Sequence, residues 1–164
     1  MKFIAILMGS KSDYEIMQEC AKILENFKIK YELIITSAHR SPQRTKDYIK
    51  EAEKRGAQVF IAAAGMAAHL AGAVAAYTTK PVLGVPMQGN ALASMDSLFS
   101  TVQMPSGIPV GTLAIGKAGA VNAAYLAVQI LALNDEKLEK ALKQDRKDKE
   151  EKLIADSKSV EVLL

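Results

Sequence analysis

Short apolar runs punctuate the first two-thirds of the chain, at residues 3–8, 31–35, 59–63, 82–85 and 112–115. Each has the length of a strand and lacks the polar-out alternation of a half-exposed one, so they read as strands covered on both faces. The stretches between them carry helical period instead. Ile16, Met17, Cys20, Ile23, Leu24 and Phe27 fall on one stripe of a first helix, which makes Cys20 a core residue and not a nucleophile. Strands alternating with helices predict an α/β domain with a parallel sheet between helical layers.

Charge sharpens this picture. Between residues 56 and 134 the only charged residues are Lys80, Asp96 and Lys117. A single domain has too much surface to leave half its length nearly uncharged, so much of this half is expected to face other copies of the chain. Residues 59–77 contain no charge at all, as a membrane span would. They are mostly alanine and glycine with His69 inside, and they read better as a buried strand followed by a small-residue helix. Residues 135–152 are the opposite, dense in both signs, with Glu136/Lys140 and Glu139/Lys143 at i,i+4 spacing. This predicts a folded α/β domain over 1–134 and a charged helix and tail over 135–164. Leu131, Leu138 and Leu142 give that helix a thin stripe for a neighbouring subunit. The apolar end, Val160, Val162, Leu163 and Leu164, has no placement from sequence.

Composition bounds the function. The 164 residues are 49% apolar and 24% charged with a net charge of +3, the balance of one soluble domain. No basic run is interleaved with aromatics, which argues against nucleic acid as partner. The opening MKFIAILM is too short for a signal peptide's apolar region and cleavage site. One cysteine precludes an internal disulfide and suits a reducing, cytoplasmic setting.

Three strand-to-helix junctions carry candidate chemistry. In MGSKSDYE, Gly9 permits a sharp turn and Ser12-x-x-Glu15 matches a capping box. Ser12 is then a simple N-cap, or the loop offers N–H groups and hydroxyls to an anion while Asp13 accepts from ribose hydroxyls. In SAHR, Arg40 suits bidentate phosphate binding and His39 suits general acid–base work. The alternative is a plain helix entry, with Ser41 capping, Pro42 at the first position and His39 packing. In AAGMAAHLAG, Gly65 permits another turn, and His69 is structural or belongs to the same crevice as His39. QMPSGIPVGT reads as a shaped loop, either a rigid connection or a cover over a ligand's ring. The chain has no G-x-G-x-x-G, Walker loop or nucleophile elbow, and its two histidines and lone cysteine do not make a zinc site. Neither metal nor cofactor is expected.

The segments MGSKSD, SAHRSP, AAHLAG, GVPM, MDSLFSTVQMPSGIPVGT and AIGKAGAVNAA, in this order, resemble the bacterial N5-carboxyaminoimidazole ribonucleotide mutases of purine biosynthesis over residues 4–133. The resemblance implies a flavodoxin-like three-layer α/β/α fold, a homo-octamer with sites at subunit contacts, and a cofactor-free reaction on a small ribonucleotide. Carbon dioxide leaves the exocyclic nitrogen and is recaptured at carbon 4 of the imidazole. It implies that His39 handles the protons. Ser10, Ser12 and Asp13 match the first binding loop, Ser37 and Arg40 the phosphate side of the second, and Gly65, His69 and Leu70 the third. The chain departs from the family pattern at Met66, where a second glycine is common, at Ala71 in place of proline, and at Ser94 in place of glycine. Two competing readings are the sister branch, which carboxylates aminoimidazole ribonucleotide directly, and a nucleotide-binding module without chemistry. Arg40 and the AAHL run favour the mutase branch, and His39 argues against the module.

Overall fold

Five parallel strands, β1 (Phe3–Met8), β2 (Tyr31–Ile35), β3 (Ala57–Ala64), β4 (Val82–Pro86) and β5 (Gly111–Thr112), form one sheet in the order β2-β1-β3-β4-β5. This is the flavodoxin-like order, seen in a computed structural model that describes residues 2–163. The helices are α1 (Tyr14–Asn26), α2 (Pro42–Arg55), α3 (Leu70–Ala75), α4 (Met95–Val102), α5 (Lys117–Ala132) and α6 (Glu136–Val160), with a single 3-10 turn at Lys11–Asp13 before α1. Two compact units divide at residue 127, the first holding the sheet and the second ending in α6.

β1 is buried at every position, and successive side chains point to opposite faces, so both faces of the sheet are covered. On one face Phe3, Ala5 and Leu7 join Phe60 and Ala62 of β3, Ile49 and Ala52 of α2, and Leu70, Ala71 and Val74 of α3. On the other, Ile4, Ile6, Met8, Val59 and Ile61 are equally buried. In α1 the buried positions are Met17, Cys20, Ala21 and Leu24, so the expected stripe is the core face and Cys20 lies inside it. Burial pushes the Cys20 thiol up to about 12, which removes it from nucleophilic chemistry.

β1 and β2 have the expected bounds, and β3 and β4 extend slightly beyond theirs. β5 is corrected. The regular ladder covers only Gly111 and Thr112. Leu113 N donates to Gly84 O (2.9 Å), but the next bond, to Pro86 O (2.9 Å), comes from Gly116 and not Ile115, so one extra residue breaks the register. The capping box is also corrected. It is Ser10, not Ser12, that closes the turn: Ser12 N donates to Ser10 Oγ (3.3 Å) and Ser10 N donates to Asp13 Oδ2 (3.1 Å). Residues 59–77 form a strand and a helix, and among the described residues no helix is long and apolar enough to cross a membrane. In the second unit, Asp135 caps α6, its carboxylate accepting from Lys137 N and Leu138 N. Leu131 lies in α5, so only Leu138 and Leu142 of the expected stripe belong to α6. The helix carries the Glu139–Lys143 pair and continues past the charged run to Val160. Val160, Val162 and Leu163 are exposed, and Leu164 lies outside the described residues.

Gly84, in the middle of β4, lets α3 and α4 approach the sheet. A Cβ there would lie 2.4 Å from Thr101 Cγ2, 2.9 Å from Val110 Cγ1 and 3.3 Å from Ala71 Cβ. Thr101 cannot yield cheaply, since it is buried and its hydroxyl donates to Ser97 O at 2.7 Å. Gly84→Ala is therefore expected to lower stability by about 1–3 kcal/mol through overpacking. Urea unfolding checks this, and an unchanged midpoint would contradict the packing described.

Candidate active site

The register aligns Met8 with Ile35 and with Ala63, and Ala63 with Val85, so the loops after β1 to β4 emerge at one sheet edge. The chain order reverses between β1 and β3, the crevice where open α/β sheets bind ligands. A cavity of about 550 Å³ lies there. Its lining includes every residue that the sequence matched to the three binding loops: Ser10, Ser12, Asp13, Ser37, His39 and Arg40 from the first two, and Gly65, His69 and Leu70 from the third.

The first loop is held by its own polar groups. Ser12 Oγ donates to Ser10 Oγ at 3.0 Å, and Asp13 is fixed by the Ser10 N–H. Burial raises the Asp13 pKa above its ordinary 3.8, and the Ser10 hydrogen bond opposes that rise. The second loop is wound around Ser37. Its hydroxyl accepts from His39 N (3.3 Å) and Arg40 N (3.0 Å), which sets both side chains on one turn. Ser41 occupies the N-cap position, but its hydroxyl makes no cap to α2. It accepts from Ser37 N at 2.9 Å instead, so it braces the loop. Arg40 Nη2 donates to Gly9 O at 3.1 Å, which joins the second loop to the first. A guanidinium has five N–H donors, so this bond leaves others for an anion.

The third loop brings His69 to His39. Nε2 of His39 and Nδ1 of His69 are 2.7 Å apart, with the rings edge to face at 80°. At this distance one ring nitrogen donates and the other accepts, and the tautomer decides which. Two histidines 30 residues apart in sequence are thus in direct contact in the cavity. His69 is the residue just before α3, held by its N–H to Ala67 O at 2.8 Å.

Sequence reasoning did not assign Met87, the last residue of GVPM, or Gln88 to the site, and both line the cavity. The signal was available: they follow β4 at the same edge as the three loops that were noticed. The QMPSGIPVGT loop does not reach this cavity within the chain. Gly107, Ile108 and Pro109 border a separate depression with residues 78–83, at the edge where β4 and β5 begin. Among the described residues, no group of three or more His, Cys, Asp or Glu side chains is placed to hold a metal ion.

The family model for AIR carboxylase matches residues 3–152. The chain belongs to the AIR carboxylase family. It is 52% identical over 151 residues to the N5-carboxyaminoimidazole ribonucleotide mutase of Aliivibrio fischeri, covering 92% of this chain and 94% of that protein. It is 53% identical over 151 residues to the mutase of Escherichia coli K12, covering 92% of this chain and 89% of that one. The crystal structure of Treponema denticola PurE superposes with a TM-score of 0.89 at 28% identity, covering 99% of this chain and all of the other. Two departures of this family member, Met66 and Ser94, both have left-handed backbone, at φ +55° and +66°. That is the conformation in which a glycine costs least.

Proposed function

We propose that this AIR carboxylase family member is an N5-carboxyaminoimidazole ribonucleotide mutase of purine biosynthesis. The observation that carries this reading is about half identity, over nine-tenths of the chain, to proteins of that name. The site's chemistry fits it. Arg40, with the hydroxyls of the first two loops, binds the substrate phosphate, and Asp13 accepts from the ribose hydroxyls. The imidazole lies against Gly65, His69 and Leu70. The bond from the exocyclic nitrogen to its carboxylate breaks, carbon dioxide departs, and His39 gives the nitrogen a proton. Carbon 4 then attacks the carbon dioxide, and His39 takes the proton that carbon 4 releases. The proton count closes, so no cofactor is consumed. The His39–His69 hydrogen bond orients the His39 ring for both transfers.

Turnover of each ribonucleotide, with and without added bicarbonate, tests this reading. The mutase converts the N5-carboxylated substrate without bicarbonate. A bicarbonate requirement with aminoimidazole ribonucleotide would assign the sister reaction, and binding without turnover would leave only a binding module.

If Arg40 anchors the phosphate, Arg40→Ala removes a charge-assisted contact at the cost of about 2–5 kcal/mol in binding. The expected result is a weakened apparent affinity that rises less steeply as salt is lowered. Wild-type affinity in this variant would place the phosphate elsewhere.

We also assign the protein to the cytoplasm as a homo-octamer, with its charged C-terminal segment on a neighbouring subunit. The nearly uncharged half supports assembly. Met95, Phe99 and Val102 share one face of α4 at i, i+4 and i+7, all exposed in the single chain, with Leu92 beside them in sequence. Light scattering should return eight chain masses, and Phe99→Glu should reduce that mass by placing a charge on an apolar contact. A monomeric wild type would overturn the assembly.

A further inference from the structure

Among the described residues, four other than glycine have left-handed backbone: Lys28, Met66, Ala93 and Ser94. Such a conformation costs free energy, so each needs something that holds it there. Lys28 lies just past the end of α1, where its N–H bonds Glu25 O at 2.9 Å and the next N–H bonds Leu24 O at 2.8 Å. Ala93 and Ser94 close a loop in which the Ser94 hydroxyl accepts from Gly89 N at 3.0 Å and donates to Gly89 O at 3.3 Å. Met66 differs. Its side chain is apolar and 76% exposed, so little packing within the chain repays the conformation. Yet it stands in the third loop, three residues from His69, and lines the same cavity as the histidine pair.

Backbone strain combined with an exposed apolar side chain at the rim of a reaction cavity suits a group that is completed by ligand. We propose that Met66 is a substrate-contacting residue that folds its thioether over the bound imidazole and closes the cavity during the reaction. The inference rests on the mutase reading. An unbranched, polarisable side chain with three rotatable bonds adapts to an aromatic ring, and its sulfur makes favourable contacts with such rings. Closure also acts on the intermediate. Between the two half-reactions carbon dioxide is bonded to nothing, and an apolar cover of this kind slows both its escape and the entry of water.

The test follows the carboxyl carbon. Substrate labelled at the N5-carboxylate is converted in unlabelled bicarbonate, and label recovered at carbon 4 is measured against loss without enzyme. Wild type retains most of the label. Met66→Asn is the decisive variant, because asparagine tolerates left-handed backbone and the position is exposed, so the thermal midpoint should not fall. It is expected to lose several-fold more label and to bind substrate more weakly. Met66→Leu keeps an apolar cover on the same backbone and should retain label near the wild-type level. Wild-type label retention in Met66→Asn would overturn the proposal. So would a fall in assembly mass with label transfer unchanged, which would assign Met66 to a subunit contact. A wild type that forms no product carboxylated at carbon 4 would instead overturn the mutase reading.

Discussion

His39→Asn is expected to fold, bind the ribonucleotide, and turn it over about 10²–10⁴-fold more slowly, the usual cost of losing a positioned acid–base group. Folding is spared because the loop is held by backbone, not by the ring: Ser37 Oγ accepts from the N–H of residues 39 and 40, and asparagine keeps both bonds. Binding is spared because Arg40 and the first loop are untouched. Turnover is not spared, because a carboxamide neither gives nor takes a proton near neutral pH and the same group serves both transfers. His69→Asn should do less damage. It removes the partner that orients His39 across the 2.7 Å contact but leaves the shuttle itself. Steady-state kinetics on both variants checks the order. If His69→Asn were the more damaging, the shuttle would be His69 and His39 its orienting partner.

The strands were legible because local rules govern them. Phe3–Met8 is a run of apolar residues bounded by a glycine-serine turn, and nothing in the tertiary structure redefines its ends. β5 was misread at its far end because Leu113 to Ile115 is as apolar as a strand while the neighbouring chain decides the pairing. Gly116 turns toward Pro86 before Ile115 can join the ladder. The capping box failed for a different reason. Ser10-x-x-Asp13 and Ser12-x-x-Glu15 overlap, and only the 3-10 turn at Lys11–Asp13 selects the first. The candidate site was legible loop by loop, since each loop follows an apparent strand and carries groups with few structural uses. What sequence could not supply was distance. That His39 and His69 touch depends on β3 lying beside β1 and not beside β2, a fact of sheet order that no local pattern encodes.

Gly119→Ala is expected to destabilise the protein by about 3 kcal/mol or more, beyond the usual range for one added methyl group. A Cβ on Gly119 would lie 1.6 Å from Ala114 O and 2.7 Å from Ala114 C, and both are backbone atoms. No rotamer change relieves that contact, so the segment 114–119 must move as a unit. The segment is pinned on both sides. Gly116 N donates to Pro86 O at 2.9 Å, Ala120 N donates to Gly116 O at 3.0 Å, and Val85 Cγ1 stands 3.3 Å from the same added carbon. The turn also abuts the site, since the Cβ position of Gly116 is 3.1 Å from the side chain of Gln88, which lines the cavity. Moving the turn therefore shifts Gln88, and residual activity in any folded fraction should fall with it. Urea unfolding gives the stability, and turnover under native conditions gives the site effect. A variant with the wild-type midpoint would mean that the Ala114 carbonyl does not lie over Gly119. A variant destabilised but fully active per folded molecule would separate the turn from the site.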